Sequence, residues 1–313
     1  MKEHLLGVFL VILVGLFGGA TGPVERFAFQ AGLTPLSINA ARLLISTVLI
    51  LAFAASRRPE ALTVDRRELP GHILNGAVGI GVTYVATNAA FVRIPVGLAM
   101  MLFYLAPFWV MIAARLFWKE PVTPLQAGCL LLALAGTWIA VGGVGGNRPD
   151  IFGTLCAVAG GMGYACYILS GRYGVGRRDP FKAYIQAFFW GLLVVSAAAL
   201  VTGEAGTLLH TSVRGWISLV VLALVCTLGV YGLLMASLRF IPGNVASIVS
   251  MSEIAFASGW AWLLFREIPS PEVVKGGFLI IVSVLLLGFG KRKAGPRERG
   301  PAPENEVFSS PSS

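Results

Sequence analysis

Two charged residues stand inside apolar stretches of membrane-spanning length, which makes them the first candidates for chemistry. Glu253 lies in the segment IVSMSEIAFASGWAWLLF, about ten residues into its span, or some 15 Å deep at about 1.5 Å per residue. Arg42 lies about eight residues below one end of another span, at a compatible depth. A charge at that depth costs at least about 2.5–3.5 kcal/mol, so each must pair, titrate or face water.

Both charges have functional and structural interpretations. A carboxyl group in a medium of low dielectric retains a proton readily, which suits a proton carrier. Glu253 could equally be protonated and serve only to hold two helices together. Arg42 could be the counter-ion of Glu253, the anchor of a substrate carboxylate, or a donor to helix carbonyls. The pattern assigns the other acidic residues, Glu25 among them, to loops, tails and span ends.

Further polar side chains inside the spans are candidates for the lining of a cavity. Tyr84 and Asn88 are four residues apart and therefore share one face of a helix. The remaining candidates are Tyr231, Asn244, Ser247, Tyr164 and Gln186. For each of them, hydrogen bonding between helices is at least as good an explanation as substrate contact.

Membrane helices are the elements that would position these residues. The chain is 56% hydrophobic and 12% charged, whereas a soluble domain carries about 25% charged residues. Apolar windows of about 20 residues predict an all-α integral membrane protein with ten transmembrane helices. The windows are 5–23, 34–55, 71–91, 96–118, 124–143, 151–171, 181–202, 215–238, 243–265 and 273–290.

The basic residues predict how the chain is oriented. Most of the 24 Lys and Arg residues fall in segments on the side that holds both termini, which places the termini in the cytoplasm and the chain in the plasma (inner) membrane. This distribution assigns the net charge of +9 to topology rather than to nucleic acid. The first window is a helix rather than a signal peptide, because nine spans follow and no clear cleavage site ends it. The basic tail 291–313 is predicted to be disordered.

The chain repeats itself at a spacing of 147 residues. Thr83–Pro124 aligns with Val230–Pro271 without a gap, and both copies keep an Ile-Pro turn and a (Lys/Arg)-Glu-x-x-x-Pro helix end. This predicts two five-helix repeats, 1–145 and 146–290, and the odd number of helices inverts the second one in the membrane. Inverted repeats are typical of secondary transporters, which bind substrate between the halves near the midplane.

The arrangement resembles the EamA family of the drug/metabolite transporter superfamily, over residues 5–290. The resemblance rests on the motifs LAPFWVMIAARLFWKE (Leu105–Glu120) and SEIAFASGWAWLLFRE (Ser252–Glu267), and on the arginine in NAARLLIS (Asn39–Ser46). Ile254 stands where the family pattern has proline. The resemblance implies export of small metabolites, amino acids among them, driven by proton exchange or by the substrate's own gradient.

Other motifs are predicted to be structural. The glycine clusters GLFGGATG, GAVGIG and GGMG favour close helix packing over local unwinding. Glu120 and Glu267 end their spans beside basic residues, as structural or gating charges.

No motif favours an enzyme, an ATP-driven pump, a metal or a cofactor, since HExxH, GxSxG and Walker patterns are all missing. The predicted function is therefore secondary active transport of small metabolites, by alternating access and in the export direction. A channel, a non-transporting membrane protein and an intramembrane enzyme are the alternatives. Expected partners are a small-molecule substrate and the bilayer; the substrate's identity, proton coupling and a homodimer are left open.

Overall fold

The computed structural model describes residues 2–140, 150–268 and 270–289, and it is all-helical, with no strand in those ranges. The long helices are α1 (Lys2–Gln30), α2 (Pro35–Arg57), α3 (Leu69–Arg93), α4 (Val96–Phe103 and Ala106–Trp118), α5 (Pro124–Ala140), α6 (Ile151–Arg178), α7 (Pro180–Val201), α8 (Val213–Ser237), α9 (Gly243–Ser250 and Glu253–Phe265) and α10 (Pro271–Phe289). Short 3₁₀ helices occupy Pro59–Ala61 and Glu204–His210.

Eight of the helical segments in the described ranges, α1 to α4 and α6 to α9, are long and apolar enough to cross a membrane. Their outward faces carry large apolar side chains, as for Phe53, Leu200 and Ile217. Exposed apolar surface of this extent fits a protein surrounded by lipid. The predicted repeat boundary at 145/146 and the tail 291–313 lie outside the described residues.

Helix α1 is longer than its hydropathy predicts. The apolar window ends at residue 23, but the helix continues as Thr21–Gln30 after a junction at Ala20. Pro23 does not end it, because proline is tolerated in the first turn of a helix, where its missing N–H has no intrahelical partner anyway. Glu25, which the hydropathy pattern assigns to a span end, therefore lies within this longer helix, near its end at Gln30.

Helices α4 and α9 are each broken near their middle, 147 residues apart. In α4 the second half begins with Pro107 in its first turn; a proline fits that position of a new helix but would remove a hydrogen bond from a helix that ran on without a break. In α9, Ile254 takes the corresponding place, and serines provide another cause. The Ser250 hydroxyl donates to the Ser247 carbonyl at 2.8 Å, and the Met251 N–H bonds to Ile248 at 3.1 Å instead. Hydroxyl competition of this kind loosens helices.

A π-helical segment also occurs twice at nearly the same spacing, as Leu74–Val82 in α3 and Leu222–Gly229 in α8. The first contains the glycine cluster GAVGIG. A Cβ atom at Gly76 would lie 2.7 Å from the carbonyl oxygen of Ala187 in α7, and one at Gly79 would lie 3.1 Å from Tyr167 Cα in α6. The prediction of close helix packing at this cluster is confirmed.

Two close contacts show how α1 and α6 run relative to each other. Near the start of α1, a Cβ atom at Gly7 would lie 2.7 Å from Ile241. Near the end of α6, one at Gly171 would lie 2.6 Å from Leu238. Leu238 and Ile241 belong to the same turn between α8 and α9. The start of α1 and the end of α6 therefore lie at one end of the molecule.

Asp150 begins α6 and gives a prediction about pH. Its Oδ1 accepts a hydrogen bond from the Phe152 N–H, and its Oδ2 lies 3.2 Å from Arg93 Nη1. Partial burial raises the pKa of the Asp150 carboxyl, but the hydrogen bonds from Arg93 and the backbone N–H groups outweigh this effect and hold the pKa below its ordinary value of 3.8. Its contribution to stability is thus complete above that value and is lost as the pH falls through the lower folded-state pKa.

We therefore expect Asp150→Ala to lower the unfolding temperature by a few degrees at pH 7, because it removes an N-cap and an ion pair. The difference from the unmodified protein should shrink as the pH falls below 3.8. Asp150→Asn, which keeps a capping acceptor, should lose less. Thermal unfolding in detergent measures both differences. An equal loss of unfolding temperature at pH 7 and below pH 3.8 would show that the charge of Asp150 contributes nothing.

Candidate functional site

Arg42 is paired with Glu25, an acid that the hydropathy pattern assigns to a span end. Its Nη1 lies 3.0 Å from Glu25 Oε1, and the two side chains are 5% and 23% exposed. None of the three fates considered for Arg42 includes this partner, and no ion pair within 4 Å joins Arg42 to Glu253 in the part of the chain that the structure describes. Helix α1 continues beyond its apolar window and thereby brings Glu25 beside α2. Hydropathy alone could not predict this contact, because the extension lies outside the apolar window.

A layer of tyrosines covers the other side of this ion pair. The guanidinium carbon of Arg42 lies 4.5 Å from the centroid of the Tyr84 ring, a cation–π contact. The ring of Tyr231, at the repeat position of Tyr84, lies 6.3 Å from it. Tyr167 packs edge-on against Tyr231 and donates its hydroxyl to the Tyr231 carbonyl. The two predicted tyrosines therefore meet, and Tyr167, which the sequence did not single out, fixes their position.

Glu253 is the first residue of the second half of α9. The positive end of a helix dipole favours a carboxylate there. The carboxyl lies against the glycine face of α1, since a Cβ atom at Gly18 would be only 2.9 Å from Glu253 Cδ. The glycine cluster of α1 therefore packs closely on α9. Glu253 stays partly exposed, and Arg42 and Glu25 both act on its carboxyl electrostatically.

The remaining predicted residues differ in their burial and in their hydrogen bonds. Asn244 and Ser247 are buried and bonded within their own helix: the Val245 N–H donates to Asn244 Oδ1 at 2.8 Å, and the Ser247 hydroxyl donates to the Asn244 carbonyl at 3.0 Å. By contrast, the buried Asn88 has an amide nitrogen without a partner among the described residues. Tyr164 and Gln186 are half-buried. The structure thus joins Arg42, Tyr84 and Tyr231 by direct contacts and places Glu253 and Tyr164 within electrostatic reach of this group.

Charge and aromatic contacts join the ends of α1 and α9. Arg26 Nη1 lies 2.6 Å from Glu267 Oε1, and these side chains are about half exposed. Phe27 stacks on Phe265 with ring centroids 5.1 Å apart, and the Arg26 guanidinium lies 4.8 Å from the Phe265 ring. We call Arg26, Phe27, Phe265 and Glu267 the α1–α9 latch.

An aromatic pair joins the ends of α4 and α6 in a similar way. Trp118, 147 residues before Phe265, stacks on Tyr173 with centroids 4.5 Å apart and ring planes at 16°. Since α6 ends where α1 begins, this pair and the α1–α9 latch lie at opposite ends of the molecule. The described part of the chain holds no group of three or more His, Cys, Asp or Glu residues that could bind a metal.

Comparison with known proteins agrees with this architecture. The model of the EamA-like transporter family matches residues 5–142 and again 151–289. The pseudopaline exporter CntI of Pseudomonas aeruginosa is 25% identical over 91% of this chain and 97% of its own. The threonine/homoserine exporter RhtA of Escherichia coli is 26% identical over 88% of this chain and 89% of its own. One solved crystal structure shares the fold with a TM-score of 0.73, at 16% identity over 92% of this chain and 96% of that chain. The chain belongs to the EamA-like transporter family.

Proposed function

We propose that the protein is a secondary active transporter that exports amino acids or related small metabolites by alternating access. The observation that carries this proposal is the cluster of Arg42, Glu25 and Glu253, held where α9 is broken and lined by repeat-related tyrosines. Broken helices that point charged or polar groups at a central site are typical of secondary transporters. A protein that only packs helices would not need three ionisable groups at this depth.

The repeat supports alternating access. We infer ten transmembrane helices in two inverted five-helix repeats, 1–145 and 146–290, with both termini in the cytoplasm. The helix breaks of α4 and α9 occur at identical repeat positions, and the π segments of α3 and α8 end 147 residues apart. The first helices of the two repeats run in opposite directions, as inversion requires. Two such halves can rock about a central site and expose it to each side in turn.

The relatives support the direction and the class of substrate. The names of CntI and RhtA describe exporters, one of pseudopaline and the other of threonine and homoserine. We extend to this chain only what those names share, the export of small amino-acid-like metabolites. A channel is the second candidate. A channel would not, however, require both the α1–α9 latch and the aromatic pair of α4 and α6, which lie at opposite ends of the molecule.

Uptake into proteoliposomes tests the proposal. A labelled panel of amino acids and metabolites is offered to the wild type, to Glu253→Gln, and to Glu272→Gln as an exposed control, each with and without a pH gradient. We expect saturable uptake that the gradient drives in the wild type and the control but not in Glu253→Gln. If Glu253→Gln counterflows substrate at the wild-type rate and responds equally to the gradient, then the carboxyl is not part of the transport site. Flux that never saturates would favour the channel.

A further inference from the structure

We propose that the central site recognises its substrate through a primary ammonium group bound at Glu253, and that it requires no substrate carboxylate. This inference rests on the proposed transport function and narrows its substrate class to primary ammonium compounds. It follows from which of the clustered charges a substrate can reach.

Arg42, the cation of the cluster, is not available to a substrate anion. The residue is only 4% exposed. Its Nη1 is bound to Glu25, and its guanidinium is covered by the Tyr84 ring. A substrate carboxylate would have to displace both neighbours and leave Glu25, whose side chain is largely buried, without its partner, which is unfavourable.

Glu253, in contrast, is open to a ligand. It keeps intermediate exposure although it lies in the middle of α9. The carboxyl packs against Gly18 of α1, where no side chain competes for the space, and the helix break leaves Glu253 at the start of a half-helix. The group that a substrate can reach at this site is therefore an acid, and its natural ligand is a cation.

The charges of the cluster also call for one more cation. Two carboxylates, Glu25 and Glu253, share the single guanidinium of Arg42, so one negative charge is left when both acids are ionised. The other titratable groups that act on these charges are neutral phenols and a thiol, on α3, α4, α6 and α8: Tyr84, Tyr104, Tyr164, Tyr231 and Cys226. A proton or an ammonium group would complete the neutralisation, and one would exclude the other.

Aromatic side chains beside the acid add a second, independent preference for a cation. The charge of Glu253 acts electrostatically on the hydroxyl groups of Tyr104 and Tyr164. Phe103 lies between them, with ring centroids 5.6 Å from each. The faces of aromatic rings attract cations, as Arg42 over Tyr84 already shows in this protein. A carboxylate substrate would gain nothing from these rings.

The test compares analogues that lack one charged group each. Counterflow of labelled L-threonine, L-leucine and L-serine is measured against the unlabelled amino acid, its amide, which keeps only the ammonium, and its N-acetyl derivative, which keeps only the carboxylate. We expect each amide to compete within about tenfold of its parent, and each N-acetyl derivative to be at least about 100-fold weaker, because the site would leave Glu253 unpaired.

Thermal stabilisation of the purified protein by the three amides is measured in parallel, so that binding is seen apart from transport. Glu253→Gln should abolish that stabilisation, whereas Glu253→Asp, which keeps the carboxylate, and Glu272→Gln should retain it. The inference is overturned if the N-acetyl derivatives compete as well as the parents, if the amides neither compete nor stabilise, or if Glu253→Gln binds the amides unchanged. Saturable counterflow of the parent amino acids in any of these cases would leave the proposed transport function standing.

Discussion

Replacing Arg42 with methionine is expected to lower the free energy of unfolding by up to about 3–5 kcal/mol, because it leaves the largely buried Glu25 carboxylate without its partner. The side chain of Arg42 is 5% exposed and the 3.0 Å ion pair joins α1 to α2. The cost therefore comes from the orphaned charge more than from the lost contact. Equilibrium unfolding of the purified protein in detergent, followed by helix content, measures it.

A second substitution separates this explanation from simple loss of packing. Glu25→Gln in the same chain removes the orphaned charge, so the Arg42→Met/Glu25→Gln double variant should regain most of the lost stability. Arg26→Met, which breaks a half-exposed ion pair at the end of α1, serves as a control and should cost no more than about 1 kcal/mol. A double variant no more stable than Arg42→Met alone would contradict the pairing.

Cross-linking the α1–α9 latch is expected to stop transport almost completely. The proposed alternating access predicts that the ends of α1 and α9 separate, whereas Phe27 and Phe265, whose rings are 5.1 Å apart, hold them together in this structure. Cysteines at these two positions, joined by a short bis-methanethiosulfonate reagent, should trap the site closed at that end. Because the reagent forms disulfides, a reductant should restore the rate of counterflow.

Two controls make the cross-link informative. The unmodified chain, with its own four thiols, should keep its activity after the same treatment. Cysteines at Arg58 and Glu60, whose side chains pair within one loop, should cross-link without loss of transport, because no movement between helices is needed there. Undiminished counterflow after complete cross-linking of Phe27→Cys/Phe265→Cys would rule out the latch as a gate.

Much of the candidate site follows from features that lie along the chain. The depth of Glu253 and Arg42 comes from counting residues in apolar windows, and the structure holds both within long helices. The alignment at 147 residues paired Tyr84 with Tyr231, and their rings do meet in the folded chain. The family resemblance was confirmed by the match of its model to both halves.

The sequence left undecided how each polar group is bonded in the folded chain. Glu25 was assigned to a span end because TGPVERFAFQ is polar, although the helix continues through it. Asn244 and Ser247 are polar groups on a helix face, yet their own backbone satisfies them. Hydropathy reports how polar a segment is, but it does not say whether a hydrogen bond or an ion pair compensates that polarity.

The sequence by itself predicted the membrane character, the positions of the long helices, a repeat and charged residues inside apolar spans. These properties are local, since they depend on the apolar length of each segment and on its spacing from the next. Only the tertiary structure decided that Arg42 pairs with Glu25, that Glu253 packs on the glycine face of α1, and that aromatic contacts join α1 to α9 and α4 to α6. The partner of a buried charge is set by which helices pack side by side, and that choice is made in three dimensions by residues far apart in the chain.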